Sequence, residues 1–97
     1  MPLFIALCKF TDAGTKSLSR DFKEQLDKAD RVVSKMGGRV VARYHTLGPY
    51  DIVTVAELPD MKMALKCSAR IASGGLVRIQ TLPAISDEEF VELTKAM

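Results

Sequence analysis

The amino-acid sequence predicts an α+β chain with the element order β-α-β-β-α-β and one short helix after the last strand. Three observations carry that prediction. Apolar residues recur first with the period of a strand, then with that of a helix, and the pair of patterns repeats in the second half. Two glycine pairs, Gly37-Gly38 and Gly74-Gly75, each separate a helical pattern from a strand-like run. Between the two halves, Tyr44-His45-Thr46-Leu47-Gly48-Pro49-Tyr50-Asp51-Ile52-Val53 joins two strand-like runs through a Gly-Pro-Tyr-Asp turn. Gly48 can take backbone angles closed to other residues, Pro49 sets φ at the corner, and Asp51 can bond nearby backbone amides.

The elements follow in order. Pro2 to Phe10 reads as a strand apolar on both faces, Leu3-Ile5-Leu7 on one and Phe4-Ala6-Cys8-Phe10 on the other, which suits a central position. Thr11-Asp12-Ala13-Gly14 reads as a turn. From about Ser17 to Met36, Leu18, Phe22, Leu26, Ala29, Val32, Val33 and Met36 form one helical stripe. The opposite face offers Glu24/Lys28 and Asp27/Arg31 as ion pairs one turn apart. Arg39 to Leu47 is the second strand, with Val40, Ala42 and Tyr44 alternating against Arg39, Val41, Arg43 and His45; its polar share suits an edge. Asp51 to Leu58 is apolar on both faces and therefore central. Asp60 caps a second helix whose inner stripe is Met61, Ala64, Leu65, Ser68, Ile71 and Ala72. Leu76 to Ile85 is the fourth strand, and Ser86 with Glu89 three residues on starts the final short helix.

This order is the ferredoxin-like arrangement, two split βαβ units interleaved into an antiparallel sheet ordered 4-1-3-2. The two strands expected at its centre are the two that are apolar on both faces. Two helices cover one face of such a sheet, so the other apolar face needs a cover, and a second copy of the chain is the simplest one. A central substitution there, Ile5 or Ala6 depending on which face is free, is expected to break that homodimer.

Composition bounds the rest. Ninety-seven residues make a single domain spanning 1–97, 47% hydrophobic and 27% charged, in the range of ordinary globular chains. A net charge of +2 from 14 basic and 12 acidic residues argues against an extended nucleic-acid surface. The apolar run Leu3 to Cys8 is too short to span a bilayer and no basic segment precedes it, so no membrane partner is expected and the expected address is the cytoplasm. Cys8 and Cys67 lie far apart and one histidine cannot complete a zinc site with them; no metal and no cofactor are expected, and both thiols read as buried and reduced.

The most versatile side chains gather around the turn: Arg43, Tyr44, His45, Tyr50 and Asp51 are the candidate ligand-binding residues, and Gly48, Tyr50 and Asp51 shape the motif. An imidazole oriented by a carboxylate, with a phenol donating to a substrate oxygen, is the pattern of general acid–base chemistry. The structural alternative has Asp51 accepting backbone N–H groups within the turn and His45 lying on an edge strand. Arg39, Arg43 and Arg78 fall on the two edge strands, where they either clamp an anion or keep the edges soluble.

At the turn, Gly48-Pro49-Tyr50-Asp51-Ile52-Val53 resembles the Gly-x-Tyr-Asp-x-Val signature of the GYD-domain family. The resemblance extends through Gly37-Gly38-Arg39-Val40, Thr46-Leu47-Gly48, Thr81-Leu82 and Ser86-Asp87-Glu88-Glu89-Phe90. It implies the dimeric α+β barrel form of the ferredoxin-like fold and no general activity. A second, weaker similarity is to the effector-binding domains of leucine-responsive regulators, which bind ligand near such a turn at a subunit interface; no helix-turn-helix precedes the domain here. The expected function is a homodimeric small-molecule-binding module, with larger assemblies left open. The alternatives are a cofactor-free monooxygenase- or isomerase-like enzyme of the same barrel class, its site between sheet and helices, and a structural or assembly protein.

Overall fold

A computed structural model describes residues 1–97. Its elements are β1 (Leu3–Phe10), α1 (Asp12–Ser17), α2 (Phe22–Lys35), β2 (Arg39–His45), β3 (Ile52–Glu57), α3 (Met61–Ala72), β4 (Val77–Ala84) and α4 (Asp87–Lys95). The strands form one antiparallel sheet in the order β2-β3-β1-β4, the predicted 4-1-3-2 read from the other edge. The fold is α+β and ferredoxin-like, with the two doubly apolar strands at the centre. Phe4 lies opposite Ala56 and Pro83, and Cys8 opposite Ile52 and Ile79, so the even-numbered positions of β1 share one face with those partners. On that face Phe4, Ala56 and Leu58 pack against Val33 of α2 and Ala64 and Cys67 of α3, and this cluster is the buried core.

The sequence predicts one helix from about Ser17 to Met36; two form instead. Thr11, expected in a turn, is a helix cap: its Oγ1 accepts the Gly14 N–H at 3.1 Å and donates to the Gly75 carbonyl at 2.6 Å. The Thr11 N–H also donates to the Leu76 carbonyl, so the start of α1 is tied to the loop that precedes β4. α1 ends at buried Ser17, whose carbonyl accepts from both Arg20 and Asp21, and the chain turns there before α2 begins. Leu18, assigned to the stripe, sits in that turn and is exposed. The anticipated α2 ion pairs are also replaced, by Lys23–Asp27 at 2.8 Å.

Two further differences have local causes. The register between β2 and β3 shifts at Val40/Ala42, a β-bulge that inserts Val41 as an extra residue. The alternation reverses beyond it. Val40, Arg43 and His45 face the helices, whereas Arg39, Ala42 and Tyr44 lie on the other face. In α3, Asp60 caps as expected, its Oδ1 accepting the Met63 N–H at 2.9 Å. Met61 and Leu65 are exposed, however, and Cys67 takes the inner place, because only Ala64, Cys67, Ser68 and Ile71 fall on the narrow line facing the sheet. Gly37 and Gly75 end α2 and α3 at φ +82° and +77°, the left-handed backbone expected of these caps.

The second face of the sheet carries Leu3, Ile5 and Leu7 of β1, Val53 and Val55 of β3, and Leu82 of β4, and α2 and α3 pack on the opposite face. α4 starts at a Ser86 cap, with the Glu89 N–H donating to Ser86 Oγ at 3.1 Å, but packs substantially on no other element. Its Phe90 and Leu93 are exposed. The molecule is drawn out to 50 Å with a radius of gyration of 14.5 Å, against about 13 Å for a compact chain of this length. No helix is long and apolar enough to cross a membrane.

Gly14 and Gly48 separate two reasons for glycine. A Cβ at Gly14 would collide with the Leu76 carbonyl oxygen, whereas Gly48 has open space around it but a φ of +98°. Gly14→Ala is expected to destabilise by roughly 2–4 kcal/mol and Gly48→Ala by only about 1 kcal/mol. Urea unfolding of both variants checks the order; a reversed order contradicts the Thr11–Gly14 anchor.

Candidate functional site

The turn between β2 and β3 is built by short-range bonds. The Thr46 N–H donates to the Asp51 carbonyl at 2.9 Å and the Thr46 hydroxyl to the Tyr50 carbonyl at 2.6 Å. The Asp51 side chain does not bond within the turn, as the sequence suggests it should. Its N–H donates to the Cys8 carbonyl at 2.8 Å and its Oδ2 accepts the Phe10 N–H at 2.9 Å. The β1–β3 pairing ends at Cys8 opposite Ile52. The carboxylate therefore supplies the next acceptor along β1, where β3 has no residue left to offer one.

The candidate residues divide between the two faces of the sheet. Tyr44 stands exposed on the face without helices. The Tyr50 hydroxyl reaches that same face, donating to Gln80 Oε1 on β4 at 2.5 Å. On the helix face, His45 meets Phe22 edge-on at 5.7 Å, and Phe22 in turn meets Phe10 at 5.9 Å. Arg43 is paired through one Nη with Asp30 of α2 at 2.5 Å. His45 and Asp51 share no hydrogen bond, so no carboxylate-oriented imidazole is assembled. Nor do the three edge arginines converge: Arg39 pairs with Glu57 on the same face as Tyr44, Arg43 lies on the helix face, and Arg78 lies opposite Lys9 on the far edge.

A cleft of about 1340 Å³ lies between α2, α3 and the sheet, where the enzyme alternative placed its site, but of the candidate residues only Arg43 lines it; Tyr44, His45, Tyr50 and Asp51 do not. Ala6, Cys8, Thr54 and Thr81 form its floor, with Phe22, Leu26 and Ala29 on the α2 side and Ser68 and Ile71 on the α3 side. The helices are buttressed by the Phe4–Val33–Ala64 cluster at one end. Beyond it the floor carries small side chains, and Ala6 and Thr54 stay half-exposed although they lie on central strands. The sequence signal was there, in small residues at inward positions where Val, Ile or Leu would have filled the layer. Ser68 and Thr81 hydroxyls bond each other across the gap at 2.6 Å.

Both cysteines are free and buried. Burial pushes the Cys8 thiol up to about 11 despite the opposing charge of Arg43, and burial likewise raises Cys67. Both are neutral near pH 7, so at the cleft floor Cys8 acts as an apolar group rather than a nucleophile. No three His, Cys, Asp or Glu side chains gather in a way that would hold a metal ion.

The sequence profile of the GYD domain matches residues 4–94, so the chain belongs to the GYD-domain family. Over 95 residues it is 35% identical to the glutamine synthetase and cystathionine beta-lyase binding protein of Thermus thermophilus, covering 98% of this chain and 100% of that one. The crystal structure of TTHA0845 from the same organism, Thermus thermophilus, shares the fold, with a TM-score of 0.57 and 20% identity over 89% of this chain and 95% of that one.

Asp51→Ala leaves the part-buried Phe10 N–H without its acceptor, which should cost about 1–3 kcal/mol. The loss should fall at the end of β1, so hydrogen exchange at the Phe10 amide should accelerate more than exchange at Phe4. Unchanged exchange at Phe10 would contradict the role assigned to the carboxylate.

Proposed function

We propose that this GYD-domain chain is a cytoplasmic, homodimeric module that binds a small molecule in the cleft between helices and sheet and acts through a partner protein. The cleft carries the reading. A sheet and two helices that could have closed on each other leave an apolar floor open to solvent, in a space larger than the usual few hundred to 1,000 Å³ of ligand pockets. Binding is favoured over catalysis because Cys8 is held neutral and His45 meets the ring of Phe22 rather than a carboxylate. The partner role rests on the relative that is named for binding glutamine synthetase and cystathionine beta-lyase. The homodimer rests on the apolar sheet face without helices and on α4, which projects with Phe90 and Leu93 exposed; a second copy covers both in a closed, self-complementary interface.

N-phenyl-1-naphthylamine, an uncharged probe that fluoresces in apolar surroundings, is expected to bind with one equivalent per chain. Ala6→Leu should weaken it by filling the floor. Absence of uptake by the native chain overturns the reading.

Ile5 lies on the helix-free face and Ala6 does not, so Ile5 is the central residue that tests the dimer. Ile5→Glu should convert a dimer into a monomer or an aggregate in sedimentation equilibrium, whereas a native chain that is monomeric at micromolar concentration rules the dimer out.

A further inference from the structure

The charges around the cleft are sorted by sign. Lys28, Arg31 and Lys35 of α2, Lys66 and Arg70 of α3, and Arg43 of β2 all line it, and no aspartate or glutamate does. The chain as a whole is nearly balanced, so the cleft takes six of its 14 basic residues and none of its 12 acidic ones. A solvated helix face does not explain this. α2 also carries Glu24, Asp27 and Asp30, and all three lie off the lining.

The positive charge is only partly offset locally. Asp30 pairs with Arg43, and Asp27, bonded to Lys23, also lies in the field of Arg31 and Arg43, while Lys28, Arg31, Lys35, Lys66 and Arg70 form no ion pair. Arg43, only 17% exposed, uses a single Nη on Asp30 and keeps further N–H donors in the cleft wall. Below this rim the interior is mainly apolar: Phe22, Leu26 and Ile71 flank it, and of its hydroxyls Ser68 donates to the Ala64 carbonyl and bonds Thr81.

We propose that the cleft selects an amphipathic carboxylate, its apolar body lodged between α2, α3 and the sheet and its acid group at the basic rim. The proposal rests on the reading of the cleft as a small-molecule site and adds the ligand's class. Apolar walls reward any hydrophobic body, whereas an excess of cations over nearby counter-charges raises the local concentration of anions and repels cations. Guanidinium groups add directed, charge-assisted hydrogen bonds to a carboxylate.

Displacement of bound N-phenyl-1-naphthylamine tests the class with three ligands of one chain length: dodecanoate, dodecan-1-ol and dodecyltrimethylammonium, each below its micellar concentration. Dodecanoate should displace the probe at a concentration roughly ten-fold below dodecanol, an order of magnitude that a single charged contact readily gives. The quaternary ammonium should be the weakest. The preference should shrink in about 0.5 M salt, where screening shortens to a few ångströms. Arg31→Gln combined with Arg70→Gln should reduce the advantage of dodecanoate over dodecanol, read as the ratio of their displacing concentrations in the same variant. Equal displacement by acid and alcohol, an advantage untouched by the double variant, or stronger displacement by an acidic peptide than by dodecanoate overturns the carboxylate proposal while leaving the cleft as a binding site. Failure of the neutral probe to bind at all overturns the cleft itself.

Discussion

The central strands constrain everything else. β1 and β3 carry apolar side chains on both faces, yet the helices lie on one face and close over it at one end only. Only eight hydrophobic residues are buried in a chain that is 47% hydrophobic, so much of the apolar surface assembled by the sheet stays at least partly open. Burial of such surface is the dominant favourable term in folding and association alike. A chain this size that leaves two apolar regions uncovered has kept that driving force available for other molecules.

The architecture was legible because it rests on periodicity and on punctuation. Apolar residues on both faces of Leu3–Phe10 and Ile52–Glu57 put those strands at the centre, and the Gly37 and Gly75 caps marked where the helices stop. What escaped depends on tertiary bonds that no local pattern encodes. Thr11 is a turn residue by type but a helix cap by virtue of its bonds to Gly75 and Leu76, more than sixty positions away. The bulge at Val41 reverses the faces of a strand whose alternation looked regular. Of the turn cluster, the sequence placed Arg43, Tyr44, His45, Tyr50 and Asp51 near one end of the sheet, but proximity along the chain does not decide which face each side chain takes. Pleating sends neighbours to opposite sides.

The far end of β1 shows how the fold maintains an opening. Asp51 holds the Phe10 N–H from one side, and Thr11 holds the Leu76 carbonyl from the other. The strand end is thus fastened to both neighbouring connections by polar bonds. Phe22 meets Phe10 and His45 at the start of α2 and keeps that helix at a set distance from the sheet.

The same alternation that divides the turn residues makes the two uncovered regions physically adjacent. Ala6 and Cys8 floor the cleft while Ile5 and Leu7 point to the other face, so a single strand, β1, is shared by both. Packed sheets deform little, and a residue forced outward on one face displaces backbone that the other face also uses. In the proposed dimer, a ligand that changes the spacing between α2 and the sheet would act on β1 directly, and Tyr50 bonded to Gln80 bridges the end of the opposite face. Coupling between ligand and assembly then requires differential affinity for the two assembly states and no extended pathway.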